Sequence, residues 1–183
     1  NPKPFANGQF LLFQRDAYES IGGHDAVSEA LLEDIAFARA IHKAGHRVQV
    51  LFADGMLRCS MYPTFEAFQN GWKRIFIEAS NRNVTRLRKS AILASLLNIV
   101  MPATSIAGIF VGIQTSQLLL VTSIAAIIGY FFNLMWLYKM NHAPMMYAIF
   151  APLGSIVVTK IFLDAANTLQ NRIPIRWGGK EYI

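Results

Sequence analysis

A single cysteine, Cys59, stands among 183 residues, so no internal disulfide is possible and an oxidising compartment would have nothing here to stabilise. From Ser90 to Tyr138 run 49 residues without one Asp, Glu, Lys, Arg or His. Charge is scarce on both sides of neutrality beyond residue 89. Residues 90–183 carry 5 basic and 2 acidic side chains, against 12 and 9 in residues 1–89. The net charge of +6 is small and spread over both parts, which argues against nucleic acid as a partner. The opening "NPKPFANGQF" lacks the basic stretch and apolar core of a signal peptide. It also lacks an initiator Met, and a start just ahead of an apolar run reads as the rear portion of a longer protein.

What is present in the second part is apolar length. Roughly 20 apolar residues cross a bilayer, so the uncharged run predicts two spans near Ala91–Ile113 and Leu118–Tyr138, joined by the polar "QTSQ" at 114–117. A soluble hairpin is improbable for uncharged runs of this length. A third apolar segment, about Ala143–Phe162, is interrupted by Pro152-Leu153-Gly154. It predicts a broken segment that returns toward its side of entry, since broken helices are tolerated where protein covers them. The basic cluster Arg82, Arg86, Arg88, Lys89 suits anionic lipid headgroups. It also places the part before it on the cytoplasmic side of a multi-pass cell-membrane protein.

The first part reads as α/β. "GQFLLFQ" (8–14) predicts a buried strand, and "RDAYESIGG" (15–23) a short helix with Asp16 as N-cap and Gly22-Gly23 as its stop. Leu31, Ile35, Ala38 and Ile41 recur at helical spacing over roughly Leu31–Ala44, with Gly45 as the cap. "HRVQVLFAD" (46–54) alternates apolar and polar residues and predicts a second, half-exposed strand. In residues 64–82, Phe65, Phe68, Trp72, Ile75 and Phe76 make one aromatic helix face. That face suits packing against the domain and a helix lying in the headgroup layer equally well. The expected organisation is an α/β portion at 1–63, an amphipathic helix and basic linker at 64–89, and a membrane region at 90–183.

The chemistry concentrates in "IGGHDAVSEALLED", residues 21–34. Glu33 and Asp34 open a helix, where the dipole and free N–H groups stabilise anions. Two acids in a first turn are most often only helix-favouring charges, and a glycine pair is usually a cap and a turn. The order of features says more. A path of strand, short helix, GG-x-D loop and helix brings a flexible loop and a carboxylate to the same sheet edge, where Asp34 could take a proton from a hydroxyl as that oxygen attacks an electrophile. The glycines would let backbone approach the ligand closely. His42 and His46 are four apart, a spacing that can place two metal ligands on one helix face. Gly45 ends the helix between them and no third ligand is apparent, so they read as a solvated pair.

The order N-G-x-F, R-x-A-Y-x-x-x-G-G-H-D, L-E-D, then "SMYPTFEAFQNGWKR" and spans, resembles membrane-bound family 2 glycosyltransferases of the GT-A fold. The nearest subgroups are the carotenoid (diaponeurosporenoate-type) and hopene-associated glycosyltransferases, with ceramide glucosyltransferases more distant. The terminal "RWGGKEY" resembles their Trp-x-Gly-Arg-x-Tyr ending, with Lys180 in place of Arg. The resemblance implies a partial GT-A fold followed by transmembrane helices, and inverting transfer from a nucleotide-sugar to a lipid acceptor. It makes Asp34 the catalytic base with Glu33 as neighbour. Gly22, Gly23, His24 and Asp25 would form a loop near donor sugar and acceptor, with Asn7 and Gly8 beside the donor sugar. The family's Gln-x-x-Arg-Trp motif, which contacts acceptor or diphosphate, is matched only in altered order by Gln69, Trp72, Lys73 and Arg74. The family's Asp-x-Asp motif for Mg²⁺ or Mn²⁺ belongs to a nucleotide-binding half that nothing in residues 1–183 resembles. The cation's ligands are therefore expected outside this chain, and the chain alone is expected to be inactive.

Two rivals come from other classes: a non-catalytic membrane-anchored binding protein with a small α/β cap, and a transporter or channel piece. The spans hold almost no ionisable residues, whereas transport paths usually do.

Overall fold

The computed structural model describes residues 4–51, 53, 55–177 and 180–182. Two compact units emerge, one of Asn1–Arg82 with Thr168–Ile183 and one of Asn83–Asn167.

The first unit is helical, and the expected α/β class is not what the chain adopts. Its elements are α1 (Arg15–Ser20), a 3-10 turn (Gly23–Val27), α2 (Glu33–Lys43) and α3 (Phe65–Ala79). Among the described residues the sole sheet is a ribbon of β1 (Ile175–Trp177) and β2 (Lys180–Tyr182), antiparallel with Arg176 opposite Glu181. Neither predicted strand forms. Residues 8–14 and the described part of 46–54 are extended or turn backbone with no strand partner, and Phe52 and Asp54 lie outside the described residues. The physical reason is pairing. An isolated extended segment gains no ladder hydrogen bonds and buries nothing, and here Leu12 is 86% and Leu51 84% exposed. An apolar run marked the first stretch and alternation the second; without a neighbouring strand neither specifies a sheet, and no GT-A layer forms among the described residues.

Helix α2 supplies the core. Ile35, Phe37, Ala38 and Ile41 are buried along one stripe, with Leu31 and Leu32 buried just ahead of it. The helix closes as a Schellman motif: Gly45 sits at φ 86°, its N–H donates to His42 O, and His46 N–H donates to Ile41 O. Helix α1 ends with Ile21 as its C-cap, just ahead of Gly22-Gly23, but Gln14 rather than Asp16 holds its N-cap position, without a side-chain capping bond. Thr64 caps α3, accepting from Ala67 N–H at 3.1 Å. On α3 the rings of Phe65, Phe68, Trp72 and Phe76 follow one another at centroid separations of 6.1, 6.2 and 5.3 Å. Gly71 is buried beneath Tyr62, whose ring atoms would stand 2.4–2.6 Å from any Cβ placed there.

The second unit contains α4 (Val84–Ser95), α5 (Met101–Thr115), α6 (Gln117–Met140) and most of α7 (Ala151–Gln170). Three helical stretches, Val84–Thr115, Gln117–Met140 and Met145–Gln170, are long and apolar enough to cross a membrane. A π-helical turn at Leu96–Val100 joins α4 to α5 just ahead of Pro102. Proline donates no hydrogen bond and its ring crowds the carbonyl four residues back, and a wider turn relieves both. Pro152 falls in the first turn of α7, where a missing N–H costs nothing; the irregular stretch precedes it as a 3-10 turn at Met145–Phe150.

Helices α5 and α6 form a hairpin whose closeness is set by two glycines four apart. A Cβ on Gly108 would lie 2.3 Å from Ser123 Oγ, and one on Gly112 would lie 2.6 Å from Leu120 N. Small residues at this spacing let helices approach within a membrane, where packing rather than water drives association. Gly112→Ala is therefore expected to lower the stability of the hairpin by about 1–3 kcal/mol, the usual cost of overpacking. Gly129→Ala on α6, where nothing lies within 4 Å, is the control and should be neutral. Thermal unfolding in detergent measures both, and equal midpoints would refute the close-packing role.

Candidate active site

The residues expected to carry chemistry lie in the first unit, and the structure draws some of them together. Asp34 is half-buried in the first turn of α2. Its Oδ2 accepts from Gly8 N–H at 2.7 Å, and its Oδ1 from Ile35 N–H at 2.8 Å. A Cβ on Gly8 would stand 3.2 Å from that same Oδ2, so the glycine admits the carboxylate to the backbone. Asn7 shapes the approach: its Oδ1 accepts from Gln9 N–H at 3.2 Å, and its carbonyl from Phe10 N–H. A carboxylate has about four lone-pair positions, so two remain at Asp34 for an incoming proton. Glu33, beside it, is exposed.

Arg74 reaches this corner from α3. One guanidinium nitrogen donates to Leu31 O at 3.2 Å, and the guanidinium carbon lies 3.7 Å from the centre of the Trp177 ring. Its Nε–H is buried and meets no acceptor among the described residues. Burial lowers the Arg74 pKa by desolvating the cation, while Tyr62, Asp34, Tyr182 and Glu33 act to raise it. Among the described residues Arg74 forms no ion pair. The result is a half-buried cation, short of water and without a direct ion pair among the described residues, in electrostatic reach of the Asp34 and Glu33 carboxylates. Such a pairing holds an anion with one group and accepts a proton with the other.

The glycine pair serves the backbone first. Gly22 and Gly23 both have positive φ, at 86° and 63°, a region where side chains are strained. A Cβ on Gly23 would meet the Tyr18 ring at 3.0 Å. Tyr18 OH in turn accepts from His24 N–H at 3.1 Å and hydrogen-bonds its Nδ1. The His24 ring meets Phe37 edge-on at 4.9 Å, so a cluster of Phe13, Tyr18, His24 and Phe37 fixes the loop. Asp25 is exposed on the same 3-10 turn, and its carbonyl accepts from Ser28 Oγ. Trp72 lies in the ring series of α3, between Phe68 and Phe76. Sequence reasoning did not see Tyr62, Trp177 and Tyr182 as neighbours of Arg74. No local periodicity links residues about a hundred positions apart; only the "RWGGKEY" tail marked that segment, and Gly178 and Gly179 of it lie outside the described residues. Among the described residues no group of three or more His, Cys, Asp or Glu could hold a metal ion.

The family model described as Glycosyl transferase family 21 matches residues 3–183. No curated protein and no solved structure matches the chain. The motifs resemble family 2 and the match is to family 21, so what the two share is glycosyl transfer.

The stacking of Trp177 on Arg74 predicts a measurable coupling. In a double-mutant cycle of Arg74→Met and Trp177→Leu, the interaction is expected to be about 0.5–2 kcal/mol, the range for cation–π contacts from exposed to desolvated settings. Chemical unfolding in detergent reads it, and strictly additive effects would rule the contact out.

Proposed function

The chain belongs to glycosyl transferase family 21, and we propose that it moves a sugar from a nucleotide-sugar donor to a lipid acceptor at the membrane, with inversion. The observation that carries this reading is the Asp34 corner: a carboxylate ordered by Gly8 N–H with a desolvated arginine in electrostatic reach. The three membrane-compatible helices support a lipid as acceptor, because an acceptor dissolved in the bilayer must be met at its surface. The motif likeness to carotenoid and hopene-associated enzymes favours an apolar body bearing one reactive oxygen.

In the reaction, the acceptor hydroxyl gives its proton to Asp34 while its oxygen bonds to the anomeric carbon. The bond from that carbon to the diphosphate breaks on the opposite face, and its electron pair leaves with the nucleoside diphosphate. Attack and departure on opposite faces invert the centre. Arg74 binds the growing negative charge, which a cation held in a dry setting stabilises more than one in water does. Asn7, Gly8 and the loop of Gly22, Gly23, His24 and Asp25 border the donor sugar, with Glu33 adding negative potential beside the base and Trp72 offering the acceptor an aromatic surface. A divalent cation belongs to the donor side of this reading. The described residues offer no ligand set for it, and no step is routed through it.

Asp34→Asn preserves size and leaves an oxygen to accept from Gly8 N–H, but it cannot take up a proton. Turnover in membranes carrying the intact gene product is expected to fall on the order of 10²–10⁴-fold, the usual worth of a general base, with donor KM little changed. Near-normal turnover by the Asn variant would reduce Asp34 to a helix-stabilising charge.

A further inference from the structure

A second feature of the first unit is a cleft of about 610 Å³ that Leu31 and Leu32 help to line. One wall is apolar, made by Leu31, Leu32 and two alanines; the other is made by Arg39, Glu78, Asn81 and Arg82. The polar wall is a connected network. Glu78 meets Arg82 at 2.7 Å and Arg39 at 3.8 Å, and Arg39 also donates to Asn81 Oδ1 at 2.7 Å and to Glu78 O at 3.2 Å. The lining thus presents two guanidinium groups and one carboxylate. Asn81 and Arg82 both sit at φ 53°, a left-handed turn that closes α3 and brings these two residues into the lining. An arginine there is held at a steric cost.

We infer that this cleft is a seat for an anionic lipid headgroup, taking a phosphate against Arg39 and Arg82 and the adjoining apolar part of the lipid against Leu31 and Leu32. Guanidinium forks match phosphate oxygens in geometry and charge. The split lining favours an amphipathic ligand over a free ion, because a soluble phosphate would leave the apolar wall unused. Chain position supplies the membrane. Arg82 precedes by eight residues the uncharged run that begins at Ser90, and Arg86, Arg88 and Lys89 fall in that interval. Basic residues so placed draw anionic lipids to themselves. The seat shares Leu31 with the Asp34 corner but is lined by neither Asp34 nor Arg74; it rests on the membrane reading, not on the identity of the catalytic base.

Delipidated full chain in detergent, titrated with phosphatidylglycerol or phosphatidylcholine and followed by native mass spectrometry, tests the assignment. One phosphatidylglycerol is expected to bind with a preference of about fivefold over phosphatidylcholine, the fold-change equivalent to roughly 1 kcal/mol for one basic residue at an anionic surface. Arg39→Gln should remove that preference. Asn81→Asp, a near-isosteric change suited to the left-handed turn, should remove it too by placing a carboxylate in the cleft. Arg86→Gln, outside the lining, should retain most of it, and unfolding midpoints verify that each variant is folded. Equal binding of the two lipids, or full preference in folded Asn81→Asp protein, would overturn the seat. Saturable binding of inorganic phosphate as tight as that of the lipid would overturn the lipid as its occupant.

Discussion

A guanidinium group drawn out of water must be supplied with other partners, and Arg74 thereby joins three separated stretches of chain. The carbonyl of Leu31 comes from the segment leading into α2, the indole of Trp177 from the terminal ribbon, and the side chain itself from α3. Unlike an aliphatic contact, this one is directional: a fork must find an oxygen and a flat cation must find a ring face. Leu31 and Leu32 are also buried at the foot of α2, so holding Leu31 O holds the first turn in which Asp34 lies. The Asp34 corner and the packing of the first unit thus depend on the same cation.

How much of this was legible in the sequence follows from the range of the forces involved. Helix α2 was readable because its apolar stripe and Gly45 are local signals, and the long apolar helices because an uncharged run leaves few alternatives. The strands at 8–14 and 46–54 were misread because an apolar run and an alternation are local patterns whereas a sheet is a non-local one; Leu12 and Leu51 are mostly exposed for want of a neighbour. Gly8 and Asp34 were each singled out by motif, but the hydrogen bond that joins them had no signal in the sequence. The partners of Arg74 had no comparable signal, since a cation and a ring a hundred residues apart meet only through the fold. Arg39 and Glu78 escaped notice for the same reason.

The second unit obeys a different economy. With no water inside a bilayer, each polar side chain has to be satisfied by protein. Ser155 Oγ donates to Ala94 O, Ser95 Oγ meets Thr159 Oγ1, and Tyr130 OH reaches Asn98 O. Asn98 and Ala94 lie at or next to the π-helical turn before Pro102, where carbonyls are released from regular helical pairing. The irregularity that proline imposes is therefore occupied by the hydroxyls of neighbouring helices.

The hairpin of α5 and α6 turns at Ser116 alone, and even that residue is engaged: its N–H donates to Gly112 O and its carbonyl accepts from Leu120 N–H. A protease works on extended chain that it can draw into its cleft, and here no such stretch is on offer. Digestion applied to either face of a membrane will leave this end of the hairpin intact whichever way it points. Sidedness at the α5–α6 turn has to be read by small chemical reagents at an introduced side chain, because resistance to proteolysis there reports the shortness of the turn and not the compartment it occupies.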